Sequence, residues 1–388
     1  MLAVGRDSGG QEAGTVETTL TELTVALARL DDLLVGPVDA TCLPIAAALG
    51  RVLAEPLVAG ADLPPAAEAS EDGLAVRAAS LDGAGPYAPV VLARPEMLAA
   101  GEALPPGTDT VVALRDVTRR GEIAELTQPI APGDGVRPAG RDIASGQVWR
   151  PAGAVLTAWD LPVLAALGIT RVAVRAPRIV LLPTGASLTS ARRPDSLSPG
   201  LHALLVGGGA LARMLPPVAG RAAIVAALRR AAADADLLVV TGGTGDGPED
   251  ESVAALAQAG RVVVRGIGLR PGMTAAIGAV GAVPVIVLPG RPADALGTWL
   301  VLGAPALRAL ANALPPPRRR VGLAGKLVST PGLAELALLR RVGEDGEMLA
   351  LCVGEPTLCS FSAADGWLVV PAGREGYDLG TCVDCMSL

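Results

Sequence analysis

The run Leu237-Leu238-Val239-Val240-Thr241-Gly242-Gly243-Thr244-Gly245-Asp246-Gly247-Pro248-Glu249-Asp250 decides how this chain is read. Its four leading apolar residues, two of them β-branched, suit a strand buried on both faces of a parallel sheet. The strand stops at glycines, which accept positive φ and carry no Cβ, so several backbone N–H groups can converge on one anion. That is the outline of a phosphate cradle. Asp250 precedes the helical pattern Val253-Ala254-Ala255-Leu256, so its carboxylate sits near a helix N-terminus, where it caps the helix or holds a metal ion. The alternative is an ordinary glycine-rich turn between strand and helix, since short glycine motifs recur by chance.

Outward from this run, strands and helices alternate. Arg178-Ile179-Val180-Leu181-Leu182-Pro183-Thr184-Gly185 is a strand and tight turn, residues 202–215 and 222–233 follow a helical pattern, and 261–264 form a further strand. Val283-Pro284-Val285-Ile286-Val287-Leu288 runs into Pro289-Gly290-Arg291-Pro292, and a helix follows over 294–310. This alternation predicts an α/β domain, an open and mostly parallel sheet with helices on both faces and ligands at the C-terminal strand ends. Towards the N-terminus, Leu20, Leu23, Leu27, Leu30 and Leu34 recur at helical spacing, with Thr18 or Thr19 as N-cap and Pro37 as the stop. A second short helix is expected over 43–58 and another over 157–167. The valine-rich runs at 74–77, 90–92, 111–114 and 123–126 predict a small β domain between them. Pro315-Pro316-Pro317-Arg318-Arg319-Arg320 reads as a stiff linker to a last small β domain.

With 388 residues the chain has room for about two to four domains. Hydrophobic residues make up 51% of it, yet no uninterrupted apolar run of about 18 residues occurs, so no membrane span is expected. The polar, glycine-rich start, Met1 to Val16, reads as a tail without a leader peptide, and a cytoplasmic location is expected. A net charge of −7 with 2% aromatic residues argues against nucleic acid, because both the cationic footprint and the stacking platform are missing. His202 is the one histidine, which leaves acid–base work to carboxylates. Five cysteines fit reduced thiols; Cys382 and Cys385 with Cys352 and Cys359 have a zinc-like spacing, but incidental thiols are the simpler reading.

Several motifs then line up in one order. They are Gly-Arg-Val-Leu-Ala-Glu at 50–55, Asp72-Gly73 before Ala75-Val76-Arg77, the stretch from Leu104-Pro105 to Val112, Gly135-Val136-Arg137 and Gly140-Arg141-Asp142-Ile143. Pro183-Thr184-Gly185, the Gly-Gly loop with Asp250, Arg270-Pro271-Gly272 and Leu288-Pro289-Gly290-Arg291-Pro292 complete the series. From about Thr18 to the C-terminus the chain resembles the molybdopterin molybdenumtransferase family, the bacterial MoeA proteins and the gephyrin E domain.

The resemblance implies a tail over 1–17, a helical domain split between 18–60 and 145–176, an inserted β domain over 61–144, a molybdopterin-binding α/β domain over 177–314 and a C-terminal β-barrel over 318–388. It implies a transferase of molybdenum cofactor biosynthesis that inserts molybdate into adenylylated molybdopterin and releases AMP, with Mg²⁺ assisting, in a homodimer whose cleft draws on both subunits. Asp72, Asp142 and Asp250 match the family's acidic cleft positions, with Asp250 and Asp72 as metal ligands. Thr184, Gly185, Gly242, Gly243, Thr244, Gly245, Arg270, Pro271, Gly272, Gly290, Arg291 and Pro292 match its cofactor-binding loops. Without that context, Asp72 and Asp142 beside glycine read as turn formers.

The departures are specific. The family's Met-Asp-Gly-Tyr is Glu71-Asp72-Gly73-Leu74 here, its Thr-Gly-Ala is Ala100-Gly101-Glu102, and a glutamate after the Val-Val strand is Arg115. Thr-Gly-Asp-Glu-Leu is reduced to Thr184-Gly185-Ala186-Ser187-Leu188. Arg270 and Met273 replace lysines, and Arg291 and Asp294 replace an asparagine and a serine. Two further readings therefore stay open. One is a paralogue that binds molybdopterin or assists cofactor assembly without turnover. The other is an activity like that of molybdopterin adenylyltransferase, whose glycine loop this one resembles closely. Partners implied are that adenylyltransferase or a recipient molybdoenzyme.

Overall fold

A computed structural model describes residues 20–343 and 346–388; the tail over 1–17 and the N-cap at Thr18 or Thr19 lie outside the described residues. The chain forms two compact units, Ala40–Val174 and a second made of the described residues up to Asp39 together with Arg175–Leu388.

The larger unit is built on a six-stranded sheet of β1 (Arg178–Pro183), β2 (Leu211–Met214), β3 (Leu237–Thr241), β4 (Arg261–Arg265), β5 (Ala276–Val280) and β6 (Val283–Leu288), in the spatial order β2-β1-β3-β6-β5-β4. The first four are mutually parallel and the last two antiparallel, so the sheet is open and mixed. The antiparallel edge follows from chain length. Val280 pairs with Val283, and the Gly281-Ala282 turn between them has no room for a crossover helix.

Alternate side chains feed two cores, as a strand's period of two requires. Ile179, Leu181, Leu237, Val239, Ile286 and Leu288 enter one face. There they meet α1 (Leu23–Asp31), α2 (Ser198–Gly207) and the later helices of the unit. Val180, Leu182, Leu238, Val240, Val285 and Val287 enter the other, with α3 (Arg221–Ala231) and α4 (Ser252–Ala259). Burying each such side chain contributes about 1.5–3 kcal/mol. The helix expected over 294–310 is α5 (Pro292–Thr298) continued through a wide turn, Trp299–Gly303, into α6 (Ala304–Ala311).

Several sequence expectations change. The leucine repeat assigned to a helical part packs instead in the sheet's first core through Leu23, Ala26 and Leu30, and Thr21 exchanges main-chain bonds with Gly266 and Gly268 at 3.1 and 2.7 Å. The helix expected over 202–215 ends at Gly207, and Leu211–Met214 becomes the edge strand β2 because parallel pairing with β1 outweighs local propensity. The stretch 43–58 holds one helical turn, Ile45–Ala48, between strands that flank Arg171–Arg175.

Arg318–Gly322 is a strand paired with Cys382–Ser387 rather than a linker. It belongs to a second six-stranded sheet in the order Leu269–Arg270, Ala334–Val342, Gly366–Val370, Cys382–Ser387, Arg318–Gly322, with Glu347–Val353 also on Ala334–Val342. Leu323, just past Arg318–Gly322, bridges Met348 in Glu347–Val353, and among the described residues no fully paired, closed barrel is detected in this sheet.

In the smaller unit, Gly73–Val76 lies between Glu96–Leu98 and Thr110–Ala113. A separate core gathers Leu53, Leu57, Leu156, Leu164, Val172 and Val174. Beside it, Asp160 is buried and accepts from Arg150 Nε at 2.6 Å and from the Thr157 amide and hydroxyl, both at 2.8 Å. Burial alone would raise its pKa, but these bonds outweigh that and hold the carboxyl below its ordinary value. An acid whose pKa falls on folding stabilises the fold at neutral pH and stops doing so as pH drops below about 4. Asp160→Ala should therefore cost about 2 kcal/mol at pH 7 in urea titrations, with the difference from wild type shrinking below pH 4. A difference that does not change with pH would contradict this account.

Candidate functional site

The glycine loop is set by close approaches. Gly242 has φ +90 and Gly243 φ +64, and a Cβ on Gly242 would meet the Thr184 carbonyl while one on Gly243 would meet the Ser252 hydroxyl. Thr184 is buried, bonded through its hydroxyl to Thr241 O at 2.9 Å and to Ser252 Oγ at 2.8 Å. The ends of β1 and β3 and the start of α4 are thereby locked together.

These ends open on a cavity of about 360 Å³. Thr184, Gly185, Gly242, Gly243, Asp250, Gly290 and Pro292, all singled out in the sequence, line it. The donors differ from expectation. The Thr184, Gly185 and Gly242 amides are spent on Thr241 O, Val218 O and Leu288 O, whereas among the described residues those of Gly243, Ala186 and Ser187 donate to nothing. Thr244 and Gly245 line neither this cavity nor the next, and the Thr244 hydroxyl is bonded to that of Thr274 at 2.8 Å. Asp250 does not cap α4; its Oδ2 accepts the Gly247 amide at 3.1 Å, which leaves Oδ1 without a hydrogen bond among the described residues. The wall formed by Arg193, Asp195 and Ser196 carried no recognisable motif.

A second cavity of about 310 Å³ is lined by Arg270, Pro271, Gly272, Met273, Thr274, Pro289, Arg291, Asp294, Gly354, Glu355 and Pro356. One loop divides the two spaces: Gly290 and Pro292 line the first, Pro289 and Arg291 the second. Arg270 Nη1 donates to Glu335 Oε1 at 3.1 Å. Glu335 is buried, and its other oxygen accepts from Ser329 Oγ at 2.7 Å and the Thr330 amide at 3.0 Å. Sequence reasoning missed Glu335, which lies 65 residues beyond Arg270 with no motif to mark it.

Asp72 and Asp142 belong to the smaller unit. Asp72 Oδ1 accepts the Ala100 amide at 2.8 Å, a bond to a segment 28 residues away and not the local bond of a turn former. Both oxygens of Asp142 are taken by Arg137 Nη2, at 2.9 and 2.7 Å, and Arg137 also reaches Glu68 at 2.9 Å. Glu71 and Arg115, both departures from the family pattern, form an ion pair with each other. Arg291 and Asp294 do the same at 3.7 Å.

Among the described residues no three His, Cys, Asp or Glu side chains gather where they could hold a metal ion, the cysteines included. Nor is any helix among them long and apolar enough to cross a membrane.

Comparison with known proteins agrees with this layout. Residues 17–168 match the MoeA N-terminal region (domain I and II), 180–309 the probable molybdopterin binding domain, and 320–388 the MoeA C-terminal region (domain IV). Molybdopterin molybdenumtransferase 2 of Mycobacterium tuberculosis is 30% identical over 312 residues, 71% of this chain and 76% of that protein. The Haemophilus influenzae molybdopterin molybdenumtransferase is 27% identical over 306 residues, 71% and 74% of the two chains. The crystal structure of the molybdopterin biosynthesis MoeA protein from Pyrococcus horikoshii superposes with a TM-score of 0.76 at 23% identity, over 95% of this chain and all (100%) of that one. With its three regions matched in order and 30% identity across most of a named transferase, the chain belongs to the MoeA family of molybdopterin molybdenumtransferases.

Proposed function

We propose that this chain inserts molybdate into adenylylated molybdopterin and releases AMP, a step in molybdenum cofactor biosynthesis. The observation that supports it is the pair of cavities divided by one loop, main-chain donors on one side and two guanidinium groups on the other. The unspent amides of Gly243, Ala186 and Ser187 suit phosphate oxygens. Arg270 and Arg291, beside Pro271 and Gly272, suit a small oxyanion. Asp72 and Asp142 are assigned to the cleft of a homodimer, and the domain limits follow those implied by the resemblance except that the described residues up to Asp39 go with the larger unit.

One free carboxylate oxygen on Asp250 fits a Mg²⁺ ion that arrives with the substrate, since this ion is commonly held by one or two carboxylates plus substrate phosphates. When bound, it would neutralise charge on the phosphoanhydride.

The test is AMP release from adenylylated molybdopterin by the purified chain. It should require both molybdate and Mg²⁺. Tight pterin binding without AMP would favour the cofactor-assembly reading instead. That second reading draws on one feature, that both arginines of the second cavity already face carboxylates.

A further inference from the structure

The two arginines of the second cavity are paired in different ways. Arg270 is held by a carboxylate that cannot easily leave: the Glu335 side chain is 4% exposed and fixed by Ser329 and Thr330 as well. Arg291 is 80% exposed, and its contact with Asp294, itself 27% exposed, is long at 3.7 Å. Glu355 lines the same space and adds a further negative charge.

An oxyanion entering here meets Arg270 with its charge already balanced and Arg291 held by a partner that can be displaced. We propose that Asp294 is a built-in competitor for Arg291, so that it sets the affinity of this cavity for an oxyanion. This rests on reading the cavity as an oxyanion site.

Two features of the fold favour the competition. Asp294 lies in the first turn of α5, three positions after Arg291, and both line the same cavity, so one oxyanion cannot meet Arg291 without approaching the aspartate. Burial pushes the Asp294 carboxyl above its ordinary range, Arg291 opposes that and Glu355 adds to it, which is the mark of a carboxylate incompletely compensated where it sits. A single loop thus carries both the attractive and the repulsive element, and discrimination between ligands commonly uses both.

The test is calorimetric titration of the full chain with molybdate, and separately with sulfate, near neutral pH. Asp294→Asn should tighten molybdate binding by about tenfold or more, as freeing Arg291 from a carboxylate about 4 Å away predicts. Asp294→Glu, which keeps the charge, should stay near wild type. Arg291→Ala should weaken binding, and Asp294→Asn added to it should give a much smaller gain than it gives alone. If Asp294→Asn unfolds, Asp294→Ser carries the same expectation.

The proposal is overturned by a change of less than twofold in Asp294→Asn, by weaker binding, by an equal gain in the Arg291→Ala background, or by no oxyanion binding in any variant. Its failure is separable from that of the metal-insertion reading. Affinity that responds to Asp294 without any AMP release sinks the metal-insertion reading alone, and AMP release with affinity indifferent to Asp294 sinks the competitor.

Discussion

Asp250→Asn should lower molybdate-dependent AMP release by on the order of a hundredfold or more, equivalent to about 2.7 kcal/mol of lost transition-state stabilisation. Asparagine keeps the shape and can still accept the Gly247 amide, which closes the Gly247–Asp250 turn. What it removes is the charge and the oxygen left free beside the cavity. Gly245 and Gly247 make the comparison a clean one, since a Cβ on either would meet the Asp250 carboxylate, so the side chain is held in place by the loop around it. Pterin binding should therefore change by only a few-fold while turnover collapses. Single-turnover measurement of AMP separates the two quantities. A rate within threefold of wild type would remove Asp250 from the chemistry.

Glu335→Ala is expected to destabilise the larger unit by about 3 kcal/mol, towards the low end for removing one partner of a buried pair because the Arg270 side chain keeps 32% of its exposure. The substitution leaves Arg270 without its counter-charge and strips the Ser329 hydroxyl and Thr330 amide of their acceptor. Glu335→Gln, which retains an acceptor for those groups, should cost less. In the double variant with Arg270→Ala, part of the loss should return, since no unpaired cation then remains. Urea titration of the full chain measures all three. A loss under about 1 kcal/mol for Glu335→Ala would mean that water compensates Arg270 and that the pair contributes little.

The two pairs Glu71–Arg115 and Arg291–Asp294 bear on how the substituted positions are understood. Taken singly, each of the four residues is a change of charge in a cleft motif. Taken together, each new charge has an opposite charge beside it: Arg291 with Asp294 sums to zero, as an asparagine and a serine would, whereas Glu71 with Arg115 sums to zero where a methionine and a glutamate would carry one negative charge. For pairs whose arginine is exposed, as in these two, the contribution to stability is small, and their consequence lies in which charges remain free for a ligand.

What the sequence determined by itself was the central strands of the larger unit's first sheet and the place of the glycine loops that end them. The alternation in Ile179-Val180-Leu181-Leu182 and Leu237-Leu238-Val239-Val240 feeds two cores because strand side chains alternate by covalent geometry, and glycines at 242 and 243 are needed wherever backbone must pass so close to Thr184 and Ser252. Such information is local, so a linear reading finds it. Only the tertiary structure decided that Leu211–Met214 would pair as a strand, that the Gly242, Thr184 and Gly185 amides would be spent while those of Ala186 and Ser187 stay free beside Gly243, and that Arg270 would meet Glu335. Those outcomes depend on which groups meet across the fold. A hydrogen bond or ion pair between residues 65 positions apart is set by the packing of whole elements, and that packing is not written at either position alone.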